Sequence, residues 1–320
     1  MCSGHFSSLD HGCAPPRRTA QAQEHPISDY VGLVIAYRNH DLVAGVLERL
    51  AAQTVQPRTV LVVDNGGTLA ESDLDGMPLA DRSALISRPD NPGYGPAVNL
   101  AREHLGGSAL LALTHDAEFG PNLAASLLEA LEDRSARGAA GPGPVGRAGC
   151  AGPLLRFAAQ PERVFSAGGR LTPAGRAFHL SAPLSTQPYP VDWLDGAIVM
   201  YTAEALDAIG WIDEDYFLYF EDVDTGWRMA RAGFRSLVVP GEVAHQQTGE
   251  HPVYLGTRNM ALFSRKAGIG TLPSLGAAVR RVGVESLRKL RRGKAPQLGE
   301  AWRGWRDGRA GAAGKPAASA

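Results

Sequence analysis

The residues best suited to chemistry stand in one short run, "YFLYFEDVDTGWR", at residues 216–228. Three carboxylates, Glu221, Asp222 and Asp224, follow directly on the aromatic and aliphatic stretch from Tyr216 to Phe220. A strand or helix that buries such a stretch should not run into three acids without a use for them. An ionised carboxylate is costly away from water unless it meets a partner, a cation or a hydrogen-bonded ligand. Two further acids stand where short apolar runs stop: Asp64 closes "RTVLVVD" and Asp116 follows "SALLALTH". Asn39 holds the corresponding place after "YVGLVIAYR". Taken alone, Asp64 could simply cap the next helix. Acids at three separate places fit a hard divalent cation held by carboxylate oxygens, with a diphosphate filling its other positions. Glu221 and Asp222 are placed to open a helix carrying Val223, Trp227 and Ala230 on one face, and its dipole favours their ionised form. Asp224 and Arg228, spaced i,i+4, read as a surface pair.

The elements that must position these residues alternate along the chain. "YVGLVIAYRNH" reads as a buried strand, and "DLVAGVLERLAAQT" sets Leu42, Val43, Val46, Leu47 and Leu50 at helical spacing, with Asp41 placed to cap it. "RTVLVVDNGGT" is a second strand. "ALISRPDNPGYGPAVNLARE" gives a third strand, a Pro/Gly loop and a helix from about Pro96. "SALLALTHDAEFGP" is a fourth strand, and "NLAASLLEALED" the helix after it. This alternation predicts an α/β fold, a mostly parallel sheet flanked by helices, with ligands beyond the carboxyl ends of its strands. After residue 135 the pattern changes. "SARGAAGPGPVGRAG" reads as a flexible connection, "PLLRFAAQPERVFSAGGRLTPAGR" as a Gly-rich hairpin excursion, and "VDWLDGAIVMYTAEALDAIGWID" as a strand and a helix.

The expected organisation is a disordered leader at 1–29, one catalytic domain at 30–266, and a basic helical extension with a disordered tail at 267–320. The catalytic domain divides into halves at about 30–135 and 150–266. Within 275–294, Leu275, Val279, Val282, Leu287 and Leu290 stand against seven basic residues. That segment predicts an amphipathic helix, either lying on an anionic membrane surface or packed on the catalytic domain.

A formal net charge of −1 gives no overall attraction to nucleic acid, and no run approaches the ~20 apolar residues of a membrane span. The opening residues lack the apolar segment of a secretory signal. Cys2, Cys13 and Cys150 form neither a disulfide framework nor a zinc spacing. The expectation is a cytoplasmic protein, peripheral on the inner face of the membrane if 275–294 meets lipid.

In order and spacing, "VGLVIAYRN", "VLVVDNGGT", "NPGYGPAVN", "VDWLDGAIVM" and "YFLYFEDVDTGWRMARAGFR" resemble the inverting nucleotide-sugar glycosyltransferases of family 2. The likeness covers about residues 30–266 and is greatest to the rhamnosyltransferase-like and galactofuranosyltransferase-like members. It implies the GT-A fold, a UDP- or dTDP-sugar donor, Mg²⁺ or Mn²⁺, and a glycan, glycolipid or natural-product acceptor. On matching positions it implies that Asp64 hydrogen-bonds the donor's base and that Asn91, Gly93, Gly95 and Asn99 lie close to the nucleotide. Glycines there would let the backbone approach a phosphate or ribose. Asn39 and His115 are implied on the donor side as well. The family's DxD motif falls on Thr114-His115-Asp116, so Asp116 is the implied metal ligand, Thr114 is a departure, and Glu118 is the acid near enough to compensate. His245 in "VVPGEVAHQQTGEH" matches a later family histidine that binds metal or phosphate; otherwise it is a loop residue. Trp193 and Asp195 match the acceptor-side wall. Glu221 and Asp222 match the catalytic acid pair, with Asp222 as the general base that takes the acceptor's proton. Two other readings remain. A nucleotidyltransferase would need a Gly-rich basic phosphate loop where "AYRNHD" stands. A catalytically inactive GT-A domain that only binds nucleotide would suit Thr114.

Overall fold

The computed structural model describes residues 29–132, 146–247, 249 and 252–317; the expected leader and most of the expected flexible connection lie outside the described residues. Strand β1 (Tyr30–Ala36) is buried at every position. Helix α1 (His40–Ala51) lays Val43, Val46, Leu47 and Leu50 into the core, as their spacing predicts. Asp41 does not cap this helix. It sits inside the first turn, and Asn39 holds the cap position without a side-chain bond. Next come β2 (Thr59–Asp64), β3 (Ser83–Ser87), α2 (Tyr94–Asn99), β4 (Ala109–Thr114), the short β5 (Glu118–Phe119) and α3 (Leu123–Glu132). Strands β3, β2, β1 and β4 pair in parallel in that order, so Asn39, Asp64 and Asp116 all follow the carboxyl ends of neighbouring strands.

Strand β6 (Arg147–Phe157) starts inside the stretch expected to be a flexible connection. It is followed by β7 (Gln160–Ser166), β8 (Gly169–Leu171), β9 (Ala177–His179), β10 (Tyr189–Val191), β11 (Ile198–Tyr201) and α4 (Ala203–Ile209). Then come α5 (Glu221–Arg231) and β12 (Phe234–Gln246). The two halves of the chain share one sheet: β11 runs antiparallel between β4 and β6, and β12 lies parallel beyond β6. The expected hairpin excursion takes in the end of β6, β7 paired antiparallel to it in the main sheet, and β8, which pairs with β9 in a small separate sheet.

The run from Tyr216 to Phe220 is neither strand nor helix. It is an irregular loop in which Tyr219 and Phe220 hold left-handed φ angles of 72° and 74°. Buried aromatics seat it all the same, since Tyr216 and Phe220 join a cluster with Val223, Phe263 and Trp305.

That cluster also takes in the last three helices, α6 (Val253–Lys266), α7 (Thr271–Arg291) and α8 (Leu298–Ala310). Gly304 and Gly308 let α8 close on α6; a Cβ at either would come within 2.4 Å of Tyr254 O or 2.0 Å of Arg258 O. Where a disordered tail was expected, the chain beyond α8 returns to the catalytic half, and Gly314 pairs with Tyr216. Helix α7 buries Ser274, Ala277 and Ala278 but leaves Val279, Leu287 and Leu290 at the surface. Among the described residues, no helix is long and apolar enough to cross a membrane.

Candidate active site

Helix α5 delivers the acids. Glu221 and Asp224 are buried, and Asp222, half-buried, accepts its own turn's Val223 N–H at 2.7 Å. Burial raises the pKa of Asp222 to about 7, with the Asp195 carboxylate adding to the shift. Burial likewise pushes Glu221 well above the usual carboxylate range, and Asp222 adds its charge. No salt bridge reaches either acid among the described residues, and Glu221 Oε2 has no hydrogen-bond partner. Tyr94 lies against the same group; its hydroxyl donates to Gly196 O at 2.7 Å, and burial together with these acids keeps it protonated. Asp195, Glu221 and Asp222 are thus brought together with little compensation, the arrangement in which protons can be exchanged.

Asp224 is different. The expected surface pair with Arg228 is internal: Asp224 is 1% exposed and accepts Arg228 Nε at 2.5 Å. The guanidinium also donates to the carbonyls of Ile209 and Trp211, so this ion pair ties α5 to the preceding turn.

Of the pair expected to wall the acceptor, Trp193 is buried with its indole N–H on Arg170 O. Gly169 and Gly226 make room for it; a Cβ at Gly226 would sit 2.8 Å from the tryptophan. Asp195 accepts Ala197 N–H at 3.0 Å, and His179 approaches it at 3.9 Å. His179 carries no motif signal. It continues an aromatic row, Phe157, Phe165, His179 and Trp193, that only the folded hairpin assembles.

The expected donor residues divide. A cavity of about 630 Å³ lies beyond β1 and β2, lined by Arg38, Asn39, Asp41, Leu42, Thr68 and Gln247. Of the residues assigned to the donor, only Asn39 lines it. Asp64 is buried beneath, and its two oxygens accept the N–H groups of Gly66, Thr68 and Leu69. Burial works against its charge, but these bonds outweigh it and hold the pKa below the ordinary value. It therefore closes its own turn, capping no helix. Arg38 and Thr68 were missed, because no spacing rule marks single residues in the loops "YRNH" and "NGGT".

The glycines of "NPGYG" admit protein, not ligand. Gly93, at φ 106°, would set a Cβ 2.1 Å from Phe217 O, and one at Gly95 would be 3.0 Å from Asp213 O. Tyr94 N–H donates to that same Phe217 carbonyl at 3.1 Å. Asn99 faces a different cavity, where its amide grips both backbone groups of Ile212 and the Glu214 carboxylate. Asn91, at φ 44°, turns the loop and donates its N–H to Arg88 O.

At the positions expected to hold a metal, the side chains of Asp116 and His245 are half-buried and have no hydrogen-bond or ion-pair partner among the described residues. His245 lies opposite Glu118 in the β12–β5 ladder. His115 rests both its N–H and its ring on Ile35 O, and Thr114 buries an unpaired hydroxyl. No group of three or more His, Cys, Asp or Glu among the described residues forms a ready cage. One free carboxylate and one free imidazole fit an ion that draws most of its ligands from a bound diphosphate.

Residues 28–261 match the family described as "Glycosyltransferase like family 2". Two N-acetylglucosaminyl-diphospho-decaprenol L-rhamnosyltransferases of Mycobacterium tuberculosis, strains CDC 1551 / Oshkosh and ATCC 25618 / H37Rv, are 31% identical to the chain over 244 residues, 64% of this chain and 73% of theirs. Among solved structures, GalNAc-T7 with UDP, GalNAc and Mn²⁺ superposes with a TM-score of 0.57 at 12% identity; the match covers 74% of this chain and 48% of that one, about half its length. S. aureus TarS 1–349 gives 0.50 at 15% identity, covering 88% of this chain and 80% of that one. These two likenesses show a shared GT-A fold.

The raised acids set the sign of a pH effect. Their folded pKa values lie above the unfolded values of about 3.9 for Asp and 4.3 for Glu, so the folded state holds extra protons between the two. Their contribution to stability is complete below the unfolded values and is lost as pH rises through about 7 for Asp222. Urea unfolding from about pH 5 to about pH 8 should show the wild-type chain losing stability relative to Asp222→Asn, by at most about 1.4 kcal/mol per pH unit for that group. Parallel curves for the two proteins would refute the raised pKa.

Proposed function

The chain belongs to glycosyltransferase family 2, and from that premise we propose that it transfers a sugar from a UDP- or dTDP-sugar to an acceptor hydroxyl with inversion, Asp222 acting as the base. The observation that carries this reading is the cluster that Glu221 and Asp222, at the start of α5, form with Asp195, in which no salt bridge reaches either α5 acid among the described residues. Asp222 is the member whose pKa stands near neutrality, where a base both exists ionised and accepts a proton readily. Glu221, more deeply buried, is pushed well above the usual carboxylate range by that burial and by the Asp222 charge.

The acceptor hydroxyl lies against the wall of Trp193 and Asp195 and gives its proton to an Asp222 oxygen. Its own oxygen bonds to the anomeric carbon as the bond from that carbon to the diphosphate breaks. One displacement inverts the sugar, with no covalent enzyme intermediate. Arg38, Asn39 and Thr68 frame the donor nucleotide. Asp116 and His245 would hold Mg²⁺ or Mn²⁺, which when bound supplies positive charge against the departing diphosphate. The relatives' names support a rhamnosyl donor and an acceptor carried on a polyprenyl diphosphate.

A lipid-borne acceptor gives the exposed face of α7 and α8 a role on an anionic membrane. Val279, Leu287, Leu290, Leu298 and Trp302 are exposed there beside Arg280, Arg288, Arg291, Arg292 and Lys294. Each basic residue near such a surface contributes roughly 1 kcal/mol, and the apolar side chains add to it.

Three measurements address this reading. Asp222→Asn should keep donor binding and lose about 10²–10⁴ in single-turnover rate. A dead Glu221→Gln beside a lively Asp222→Asn would move the role to Glu221, and full activity in both would end the mechanism. In calorimetry, Asp116→Ala should abolish the metal dependence of nucleotide binding; unchanged dependence would shift the ligand to Glu118 or His245. For the membrane, full-length protein should pellet with phosphatidylglycerol vesicles more than with phosphatidylcholine vesicles. A Leu287→Gln, Leu290→Gln, Trp302→Gln protein should largely stay in solution, and equal pelleting would remove the lipid surface from the proposal.

A further inference from the structure

The loop that delivers the acids is gripped by residues far along the chain. Asn259 of α6 is 0% exposed, and its Nδ2 donates to Leu218 O at 2.8 Å and to Tyr219 O at 2.7 Å. Its Oδ1 accepts Arg258 Nε at 2.9 Å, which fixes the amide so that both its protons face the loop. Arg258, itself 1% exposed, donates through Nη1 to Gly314 O at 2.8 Å. Gly314 N–H closes the circuit on Asp215 O at 2.6 Å. Tyr219, the last residue so held, and Phe220 directly after it stand at φ 72° and 74°. Bulky residues persist in that left-handed region only where their surroundings over-determine it. The next two residues are Glu221 and Asp222.

We propose that Asn259 is a positioning residue for the reaction: it locks the left-handed turn that sets Asp222 in place, and Arg258 and Gly314 hold Asn259 to that task. This rests on the reading of Asp222 as the base. A carboxylate displaced by even an ångström takes a proton poorly, although the donor, bound beyond β1 and β2, loses nothing.

Asn259→Asp tests this in the full-length protein. It keeps the size of the side chain and the bond from Arg258 but turns a donor into an oxygen facing two carbonyls. Turnover should fall between about tenfold and about a hundredfold, with the donor KM changed by less than about twofold. The acidic limb of the pH–turnover profile should move to lower pH as Asp222 gains solvent. If the variant does not fold by near-UV circular dichroism and melting, Asn259→Ser, which removes the amide and with it both the grip on the loop and the acceptor for Arg258, is measured for the same split. A folded variant with wild-type turnover and profile overturns the proposal. So does a loss of turnover matched by equal losses of donor affinity and melting temperature, which marks a structural role. Asp222→Asn in the same assay separates the two readings. If it is inactive beside a normal Asn259→Asp, the base stands and the positioning role falls; if Asp222→Asn is fully active, the base falls.

Discussion

A segment with neither helix nor strand must still satisfy its backbone, and in the loop over residues 212–220, where the Asp215 N–H is met by the loop's own Asp213 carboxylate, five carbonyls are met from outside. The Ile212 carbonyl is taken by Asn99, Asp215 by Gly314, Phe217 by the Tyr94 N–H, and Leu218 and Tyr219 by Asn259. A buried carbonyl left unpaired is costly, so these partners cannot be dispensed with singly. They come from α2, α6 and the chain beyond α8. The irregular loop is therefore the point at which otherwise separate parts of the molecule constrain one another. The glycines at 93 and 95 serve this closure, because only their missing side chains let the two loops meet at main-chain distance.

The same constraint explains why neighbouring acids behave so differently. Asp64 receives three N–H groups and stays ionised; Asp224 receives a guanidinium and becomes part of the scaffold. Glu221 and Asp222 receive no guanidinium, and the Val223 N–H on Asp222 does not offset their burial beside Asp195. Acids that are only structural acquire partners, because unpaired burial raises the free energy of the charged form. A fold that withholds partners from one pair has to hold that pair by rigidity around it. This is the burden carried by the loop and its anchors.

Much of the scaffold was legible because periodicity reports burial. The apolar runs at 30–36, 59–64 and 109–114 became adjacent parallel strands, and the apolar spacing of α1 became its buried face. The run "FLYFEDVD" announced the acids, and the broad composition of 275–294 announced an amphipathic helix. What stayed hidden depends on distance along the chain. No local pattern shows that Asn99 reaches Ile212, that Gly93 meets Phe217, or that an arginine and an asparagine inside an apolar helix face inward to serve a loop. Asp64 shows a related limit: in sequence, an acid at a strand end looks the same whether it awaits a ligand, caps a helix or accepts the N–H groups of its own turn. The polar residues of α6 carried no motif, and small residues at the end of the chain looked like a solvated tail.

The bond from Gly314 to Asp215 also bears on how the molecule is made. Synthesis runs from the amino end, so the strands of the sheet and the acids themselves all precede residue 314 in the order in which the chain is made. During that interval the left-handed turn ahead of Glu221 lacks one of its outer anchors, and the α6 face that receives α8 is uncovered. Closing contacts so distant along the chain is slow compared with forming the local helices. The newborn polypeptide thus holds every strand of its sheet before it holds the residue that anchors the turn ahead of Glu221 from beyond α8.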